Sequence, residues 1–426
     1  MTSLLNRRSF VRQAVGASVG LAAVPFIVRG AARQLNIAAV GIGGKGHSDI
    51  QLVSKGQNVV ALCDVDRQIL ERIGKEFPAA RHYTDFREML ADRAIDAVTV
   101  STPDHMHAPI AIQAMKAGKH VYCQKPLTHS VFEARRMAEV AAETGVVTQI
   151  GTQHHATSRF QTAVKAVREG KLGHVSHVHI WTDRPIWPQG MDRPAGSDPV
   201  PDYLDWDKWI GVAPERPFKE GAYHPFNWRG YWDFGTGAMG DMGCHFIDPA
   251  FTALDLTEPL SIVAEGPDPH PDTAPKWMIV RYQFAERDLT WYDGRKLPHA
   301  ADLRWPSGEP LPENGIVFVG EKASLFINHE KGPLVLADAK SDLVLEAVPD
   351  YDHYLEWTNA CLGQGKTSCP FAHAGPLTEL VLLANVAYRS GQEIHWDRPH
   401  MRDRDSNDVA PFLRRQYRPG WQTEGL

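Results

Sequence analysis

The chain has 426 residues, of which 43% are hydrophobic and 23% are charged, and its formal net charge is −6 at neutral pH. This length and composition are typical of a folded protein with two domains and exclude a largely disordered chain. The acidic balance gives no electrostatic basis for binding nucleic acid.

The first 32 residues have the composition of an export signal rather than of a folded element. They combine a basic start with Arg7-Arg8-Ser9-Phe10, an apolar run interrupted by glycine and proline, and small residues before position 33. Paired arginines followed by Ser-Phe predict a twin-arginine signal, with an ordinary secretory signal as the alternative. We expect a protein that is periplasmic or otherwise exported by this route. The interrupted run is a poor membrane span, and no membrane span is expected in the mature part.

Residues 33–153 alternate short β-branched runs with helical segments. The runs are LNIAAV, NVVALC, DAVTV, HVYC and VVTQI. Strand and helix in strict alternation predict an α/β fold with a doubly wound parallel sheet. After residue 153 the strict alternation of strands and helices ends. Residues 154–426 predict a second α/β domain built on an open sheet. In that part we expect one helix over residues 241–254 and a long functional loop over residues 183–237.

A glycine-rich loop follows the first predicted strand and opens a helix. Gly41, Gly43 and Gly46 have the GxGxxG spacing, and Asp64 ends the next strand. Small residues let the backbone approach a pyrophosphate, and a carboxylate at the end of the second strand can bond the adenosine ribose. The alternative is that the glycines form a purely structural turn. Because Asp64 repels a 2′-phosphate, we expect NAD rather than NADP. The loop contributes Gly41, Ile42, Gly43, Gly44, Lys45 and Gly46.

Two further strand ends are predicted to line the same crevice, since ligands bind at the carboxyl ends of parallel strands. These segments are STPDHMH and QKP, and the residues expected near the cofactor are Ser101, Thr102, Pro103, His105, His107, Gln124 and Lys125. A histidine at the start of a surface helix is often merely solvated, which is the alternative for His105 and His107. The Lys125 ammonium is placed to bond a substrate oxygen where negative charge develops.

A second group of polar residues lies in GDMGCHFID. Asp241, His245 and Asp248 are spaced i, i+4 and i+7, so they would share one face of a helix. A histidine of near-neutral pKa, oriented by a carboxylate one turn away, can take the proton of an alcohol as hydride leaves its carbon. The alternative is a solvated polar stripe.

Half of the twelve tryptophans lie between Trp181 and Trp232, beside polar side chains. Such aromatic faces suit sugar rings, although some of them must simply hold the loop together. The residues that we expect to contact a carbohydrate are His154, Trp181, Arg184, Trp228, Arg229, His245 and Asp248. No short metal-ligand motif is present, so no metal is predicted, and Cys361 and Cys369 could pair or remain free.

Together these motifs resemble the Gfo/Idh/MocA oxidoreductase family, the glucose-fructose oxidoreductase and inositol dehydrogenase group. The resemblance implies a Rossmann domain followed by an α/β domain whose open sheet is mainly antiparallel and commonly mediates oligomers, here a dimer or tetramer. It also implies Lys125 as the catalytic lysine, His245 as acid/base and Asp241 as its assistant. The family usually has Glu-Lys-Pro, whereas this chain has Gln124-Lys125-Pro126; the missing carboxylate should let the pKa of Lys125 fall.

Export adds an expectation about the cofactor, because no ready pool of NAD exists outside the cytoplasm. We therefore expect an NAD(P)-dependent oxidoreductase that acts on a sugar hydroxyl with tightly bound, recycled NAD. One alternative is an NAD-dependent glycoside hydrolase that acts by transient oxidation and elimination. A non-catalytic carbohydrate-binding protein is another.

Overall fold

A six-stranded parallel sheet forms the first half of the fold. The computed structural model describes residues 33–337 and 343–426, so the predicted signal in residues 1–32 lies outside the described residues. The strands are β1 (Asn36–Val40), β2 (Asn58–Cys63), β3 (Arg81–Tyr83), β4 (Ala97–Val100), β5 (His120–Cys123) and β6 (Thr148–Ile150). Their order, β3-β2-β1-β4-β5-β6, with every pair parallel, confirms the predicted doubly wound sheet. The short strand β3 was not predicted, because its sequence is polar and contains no apolar run.

The helices between these strands cover both faces of the sheet. They are α1 (Lys45–Val53), α2 (Arg67–Gly74), α3 (Phe86–Leu90), α4 (His107–Lys116) and α5 (Val131–Thr144). Asp66 caps α2, and Ser130 with Glu133 forms a capping box on α5. Gly145, with φ of 64°, ends α5 in the left-handed conformation that glycine adopts readily.

A seven-stranded mixed sheet forms the second half. Its strands are β7 (Val175–Trp181), β8 (Ser261–Glu265), β9 (Ile279–Gln283), β10 (Asp288–Tyr292), β11 (Gly315–Gly320), β12 (Ser324–Ile327) and β13 (Leu334–Leu336). The order is β13-β12-β11-β7-β10-β9-β8, and only β7 and β10 pair in parallel. The mainly antiparallel open sheet is therefore confirmed. A two-stranded ribbon joins β14 (Trp396–Asp397) and β15 (Arg402–Asp403).

The remaining helices pack on one face of this sheet and on the first domain. They are α6 (Ser158–Arg168), α7 (Trp206–Ile210), α8 (Gly237–Phe246), α9 (Asp248–Leu254), α10 (His353–Cys361), α11 (Phe371–Ser390) and α12 (Ala410–Leu413). Parts of the C-terminal segment also enter the core of the first sheet: Tyr354 and Trp357 pack on one of its faces, and Phe371 and Trp421 pack on the other. The last residues of the chain thus join the two halves.

One local expectation is corrected by the structure. The single helix predicted over residues 241–254 is two helices, α8 and α9, which meet at Ile247. Pro249 lies in the first turn of α9 and lacks the amide hydrogen that would continue α8, so the axis breaks there. Cys361 and Cys369 are both free thiols. Within the described residues, no helix combines the length and the apolar character needed to cross a membrane.

Candidate active site

One cavity of about 1080 Å³ joins the glycine-rich loop to the group around Lys125. Its floor is the carboxyl edge of the parallel sheet, with side chains from the loops after β1, β2, β4 and β5. Its other wall comes from the second domain and includes Trp228, Arg229, Asp241 and His245. Most of the predicted cofactor residues line it, namely Gly41, Gly43, Gly44, Lys45, Asp64, Ser101, Thr102, Pro103, Gln124 and Lys125.

The glycine-rich loop is packed so tightly that two of its positions exclude a side chain. A Cβ atom at Gly41 would lie 2.8 Å from the carbonyl oxygen of Ser101, and φ at Gly41 is +73°. A Cβ atom at Gly46 would lie 1.8 Å from the carbonyl oxygen of Gly41. Ile42 turns its side chain into the core. The bare backbone that remains at the N-terminus of α1 is the cradle that a pyrophosphate requires.

Asp64 lies where a ribose carboxylate is expected, at the end of β2. Its two oxygens accept hydrogen bonds from the amides of Ile42 (2.9 Å) and Asp66 (3.0 Å), which fix its orientation beside the loop. Burial raises the pKa of Asp64 above its ordinary value, although both amide bonds act in the opposite direction. A carboxylate oxygen has two lone pairs, so each can still accept a ribose hydroxyl.

A buried carboxylate that the sequence analysis missed holds the strand ends together. Asp49 on α1 is fully buried and accepts hydrogen bonds from the Ser101 hydroxyl (2.9 Å) and the Gln124 amide (2.8 Å). It also contacts Lys45 and the Tyr354 hydroxyl. A glutamate at position 124 would have no hydrogen to donate and would face Asp49 with like charge. Gln124 therefore matches the carboxylate that α1 supplies.

Lys125 projects from the end of β5 and pairs with Asp241 of α8. Its ammonium lies 2.6 Å from the Asp241 carboxylate and 2.8 Å from the Asp241 carbonyl oxygen. Arg229 lies 3.3 Å from the same carboxylate and 3.2 Å from Asp104. Burial raises the pKa of Asp241, but Lys125 and Arg229 outweigh that effect and hold it below its ordinary value. Lys125 thus keeps a carboxylate neighbour, although position 124 provides none.

His245 lies one turn after Asp241 in an imidazole cluster. Its ring centroid is 5.2 Å from that of His154 and 5.6 Å from that of His329. His154 and His329 stack at 3.8 Å. Sequence reasoning missed His329 because it follows β12, far along the chain and outside any motif.

The expected near-neutral pKa of His245 is not what the structure gives. Burial, followed by the nearby charge of Lys125, places the pKa of His245 well below its ordinary value. Burial also lowers the pKa of His154 to about 4 and of His329 to about 3. Since Asp241 is bonded to Lys125 and Arg229, His245 is not stabilised as an imidazolium. The three rings are neutral at neutral pH and can accept a proton.

The predicted sugar-binding residues fall into two groups. Trp228 and Arg229 line the cavity, and the Arg229 guanidinium lies over the rings of Trp228 (4.4 Å) and Trp187 (5.7 Å). Arg184 is held by Asp183 at 2.7 Å, and its charge contributes to the lowered pKa of Asp241. Trp228 and Arg229 therefore line the same cavity as Lys125, and Arg184 lies close enough to affect Asp241.

Trp181 and Asp248 are corrections to that prediction. Alternation along β7 places Ile180 in the main core and Trp181 on the opposite face of the sheet, where the indole donates to the Pro312 carbonyl oxygen at 2.7 Å. Asp248 leaves the face shared by Asp241 and His245 because the helix breaks at Ile247.

Asp248 instead forms a buried cluster of its own. Its oxygens lie 2.8 Å from nitrogens of His155 and of His373, and they accept the Thr252 hydroxyl at 3.0 Å. Within residues 33–337 and 343–426, His155, Asp248 and His373 are the group whose side chains could hold a metal ion. The polar atoms of these three side chains bond one another. The sequence predicts no metal here.

His105 and His107 lie behind the cavity wall rather than in it, which corrects their assignment to the cofactor. Both rings are buried. The His107 nitrogens lie 2.8 Å from the carbonyl oxygens of Thr102 and Pro126, so this ring joins the loops after β4 and β5. The His105 nitrogens lie near the carbonyl oxygens of Phe234 and Trp209. Both residues position backbone that does line the cavity.

A dinucleotide cleft that opens onto a lysine and neutral imidazoles is the arrangement of an NAD-dependent oxidoreductase. Two sequence profiles place the chain more closely: "Oxidoreductase family, NAD-binding Rossmann fold" matches residues 35–152, and "Oxidoreductase family, C-terminal alpha/beta domain" matches residues 162–308. Together they span more than half of the chain, which belongs to the Gfo/Idh/MocA oxidoreductase family.

Individual relatives show what this family contains. The scyllo-inositol 2-dehydrogenase (NAD(+)) of Bacillus subtilis is 29% identical over 170 residues, which are 39% of this chain and 47% of that protein. The 2,7-anhydro-N-acetylneuraminate hydratase of Escherichia coli K12 is 27% identical over 159 residues, 37% of this chain and 42% of that protein. The aligned part is thus less than half of either relative.

A solved structure extends the likeness of fold over most of the chain. Levoglucosan dehydrogenase in complex with NADH and levoglucosan matches with a TM-score of 0.62 at 17% identity. The match covers 86% of this chain and all of that one. The shared fold therefore includes both the Rossmann domain and the second sheet.

Proposed function

We propose that the protein oxidises a hydroxyl group of a sugar or sugar derivative, with Lys125 and His245 handling the hydroxyl proton. The observation that carries the proposal is the Lys125–Asp241 pair beside neutral His245, at the end of a cavity continuous with the glycine cradle. Bound NAD would supply the acceptor for the hydride that leaves the carbon. All other steps fall to side chains of this chain.

The Lys125 ammonium would donate a hydrogen bond to the reacting oxygen and stabilise the charge that develops there. His245 would take the hydroxyl proton as hydride leaves the carbon and that proton becomes strongly acidic; burial and Lys125 lower the pKa of His245, which keeps the ring unprotonated but also makes it a weak base. Arg229 and Trp228 would hold the sugar, the first through its hydroxyls and the second against its C–H face. His154 and His329 contact the His245 ring edge-on and would hold its orientation.

The proposal is tested by hydride transfer. Purified protein is incubated with NAD and a panel of aldoses, inositols, anhydrosugars and glycosides, and NADH formation is followed by absorbance. Oxidation of at least one compound, with a product carbonyl identified by mass spectrometry, supports the proposal. Tight binding of sugars without oxidation of any of them contradicts it and favours a binding role.

We further propose that the protein is exported by the twin-arginine route and retains its NAD through each catalytic cycle. The paired arginines at positions 7 and 8 and the lack of free NAD outside the cytoplasm support this. Denaturing the exported protein and identifying the released nucleotide by mass spectrometry tests it. Stoichiometric NAD supports retention; an empty protein with weak affinity contradicts it.

Redox-neutral glycoside cleavage is the second candidate, and the imidazole cluster favours it specifically. Oxidation of one hydroxyl would acidify a neighbouring C–H bond, and a second base would then take that carbon-bound proton as the aglycone leaves. Water would add to the resulting double bond, and return of the hydride to the carbonyl would leave the nucleotide unchanged. His154 and His329 offer unprotonated imidazoles beside His245, and their pKa values of about 4 and about 3 make them weak bases that could act only on a strongly acidified C–H bond. A relative named as a hydratase of an anhydrosugar fits such chemistry. Release of an aglycone without a net change of the nucleotide distinguishes this candidate from net oxidation.

We also propose a homo-oligomer, a dimer or tetramer, since the open second sheet is the surface that the family commonly pairs. Light scattering coupled to size-exclusion chromatography measures the mass directly. A monomer at micromolar concentration contradicts this proposal and leaves the chemical one intact.

A further inference from the structure

A loop of the second domain crosses onto the nucleotide-binding domain. The 201–225 loop follows β7 in the chain, yet it contacts the segment between β2 and α2. Leu204 and Asp66 form an antiparallel bridge. The amide of Arg67 donates to the carbonyl oxygen of Tyr203 at 2.9 Å, and the amide of Asp205 donates to the carbonyl oxygen of Val65 at 3.0 Å. The loop therefore pairs with the backbone that follows Asp64.

A side-chain contact adds to these backbone bonds. His224 lies 3.1 Å from the carboxylate of Asp66, which also caps α2 through the amides of Gln68 and Ile69. The Arg67 guanidinium reaches the carbonyl oxygen of Asp202. Both ends of the 201–225 loop are thus attached to the residues that begin α2.

An aromatic cluster makes the loop a rigid wall rather than a loose cover. Trp206 and Trp209 stack at 4.7 Å, and Phe218 packs edge-on against Trp206 at 5.2 Å. Val65, next to Asp64, packs against this cluster. The Trp206 indole donates to the carbonyl oxygen of Arg216 at 2.8 Å, which closes the loop on itself.

The same loop lines the cavity beside the ribose carboxylate. Tyr203, Lys208, Phe218 and His224 face the cavity that also contains Asp64. Aromatic and imidazole faces are suited to a purine base, and Asp64 is suited to its ribose. The adenosine half of a dinucleotide therefore has a floor from the first domain and an outer wall from the second.

From this geometry we propose that the 201–225 loop forms the outer wall of the adenosine site and controls the release of NAD. The inference rests on the proposed retention of NAD and assigns it to named contacts. A nucleotide enclosed between the two domains can leave only after the bonds from Arg67, Asp205 and His224 have opened. Release is then slower than in a cleft formed by the first domain alone.

Arg67 allows a sharp test because it is the first residue of α2. Proline is well tolerated at that position, and Asp66 before it has the extended conformation that a residue preceding proline prefers. Arg67→Pro therefore deletes the amide that bonds Tyr203 while keeping the helix. Arg67→Ala is the matched control, since it removes the same side chain but leaves the amide in place.

The experiment measures the release of prebound NADH on mixing with excess NAD, followed by nucleotide fluorescence. We expect Arg67→Pro to release NADH about 3- to 10-fold faster than Arg67→Ala, the range for one lost hydrogen bond. The double variant with His224→Ala should release it about 10- to 100-fold faster than wild type. Equal melting temperatures without nucleotide would show that the fold is retained.

The outcomes separate this inference from the proposed function. Wild-type protein that holds NADH, with release unchanged in Arg67→Pro, in the double variant and in His224→Ala alone, overturns the role of the loop only. Wild-type protein that binds no NADH overturns the proposed retention and the loop assignment together. Release that becomes faster from Arg67→Ala to Arg67→Pro to the double variant supports both the retention of NAD and the role of the loop.

Discussion

The two ends of the cavity are built from different kinds of groups. At the nucleotide end, backbone shape dominates: Gly41 and Gly46 exclude any Cβ atom, and Asp64 is already bonded to backbone amides. At the substrate end, side-chain charge dominates: Lys125 and Arg229 share the Asp241 carboxylate beside the uncharged imidazoles. The first end should therefore be sensitive to residue size and the second to residue charge.

Because the two ends depend on different properties of their residues, substitutions should be able to separate NAD binding from chemistry. Substitutions that remove charge without adding volume should impair chemistry while NAD still binds. Substitutions that add volume at the glycine loop should impair NAD binding first. A single residue that disturbed both ends equally would show that the cavity works as one unit.

The largest expected effect is that of Lys125→Met, which removes the ammonium and keeps most of the side-chain length. Turnover of the best substrate should fall by about 10²- to 10⁴-fold, the scale for a lost electrostatic or acid/base group. NAD affinity should change by less than about 3-fold, since the pyrophosphate cradle is untouched. Initial rates and nucleotide titration measure the two quantities. Near-normal turnover would remove Lys125 from the chemistry.

Asp248→Asn tests the support behind the substrate end. Burial lowers the pKa of His155, but Asp248 outweighs this and raises it well above its ordinary value; the same pairing lowers the pKa of Asp248 against burial. Removing one partner of a buried pair should reduce the free energy of unfolding by about 3–5 kcal/mol.

The pH dependence of that loss follows from the two shifts. The lowered pKa of Asp248 contributes stability above its unfolded value, about 4, and loses it as the pH falls further. The raised pKa of His155 contributes stability below its unfolded value, about 6.5, and loses it as the pH rises through the folded value. The difference between wild type and Asp248→Asn in denaturant unfolding should therefore be largest between about pH 4 and 6.5. A difference that does not vary with pH would contradict the pairing.

Gly46→Ala tests the nucleotide end by adding one methyl group. The new Cβ atom would overlap the carbonyl oxygen of Gly41, so the loop or the first turn of α1 must move and the shape of the cradle must change. We expect NAD affinity to fall about 10- to 100-fold, which corresponds to about 1.4–2.7 kcal/mol. Isothermal titration measures it, and Gly56→Ala, on a surface turn before β2, is the control: its methyl group meets open space, and the strain that alanine has at φ of +74° lies outside the glycine-rich loop. Unchanged affinity would mean that the loop is not the cradle.

Local signals made the nucleotide end predictable from the sequence. Alternating apolar runs gave five of the six strands, and the GxGxxG spacing with Asp64 has a direct backbone meaning. The Asp241–Lys125 contact is not predicted by the sequence, which assigns Asp241 to His245; the two paired residues are 116 positions apart. A pattern within one segment cannot show a contact of that kind.

The missed residues were those whose role depends on tertiary packing. Asp49 is an ordinary polar residue in a helix until Ser101, Gln124 and Tyr354 surround it. His329 joins the imidazole cluster only because β12 ends beside α8. The pKa of His245 was misjudged for the same reason: burial beside Lys125, which no spacing reveals, moves it away from neutrality.

Gln124→Glu gives the smallest expected effect and the finest test of the comparison, because it restores the usual family residue at a site that belongs to both ends. Here the new carboxylate would face Asp49, which is fully buried and accepts a hydrogen bond from the Gln124 amide at 2.8 Å. Two like charges in a buried site raise the pKa of one of them. The variant should therefore lose about 1–2 kcal/mol of unfolding free energy at pH 8, within the range for a lost charged hydrogen bond. The loss should shrink as the pH falls through that raised pKa, since the protonated acid can again donate to Asp49.

Gln124→Met, which cannot ionise, should show a loss that does not depend on pH. If Gln124→Glu is as stable as wild type at pH 8, then Asp49 does not replace the family carboxylate. The presence of Gln124 beside Asp49 would then need another explanation.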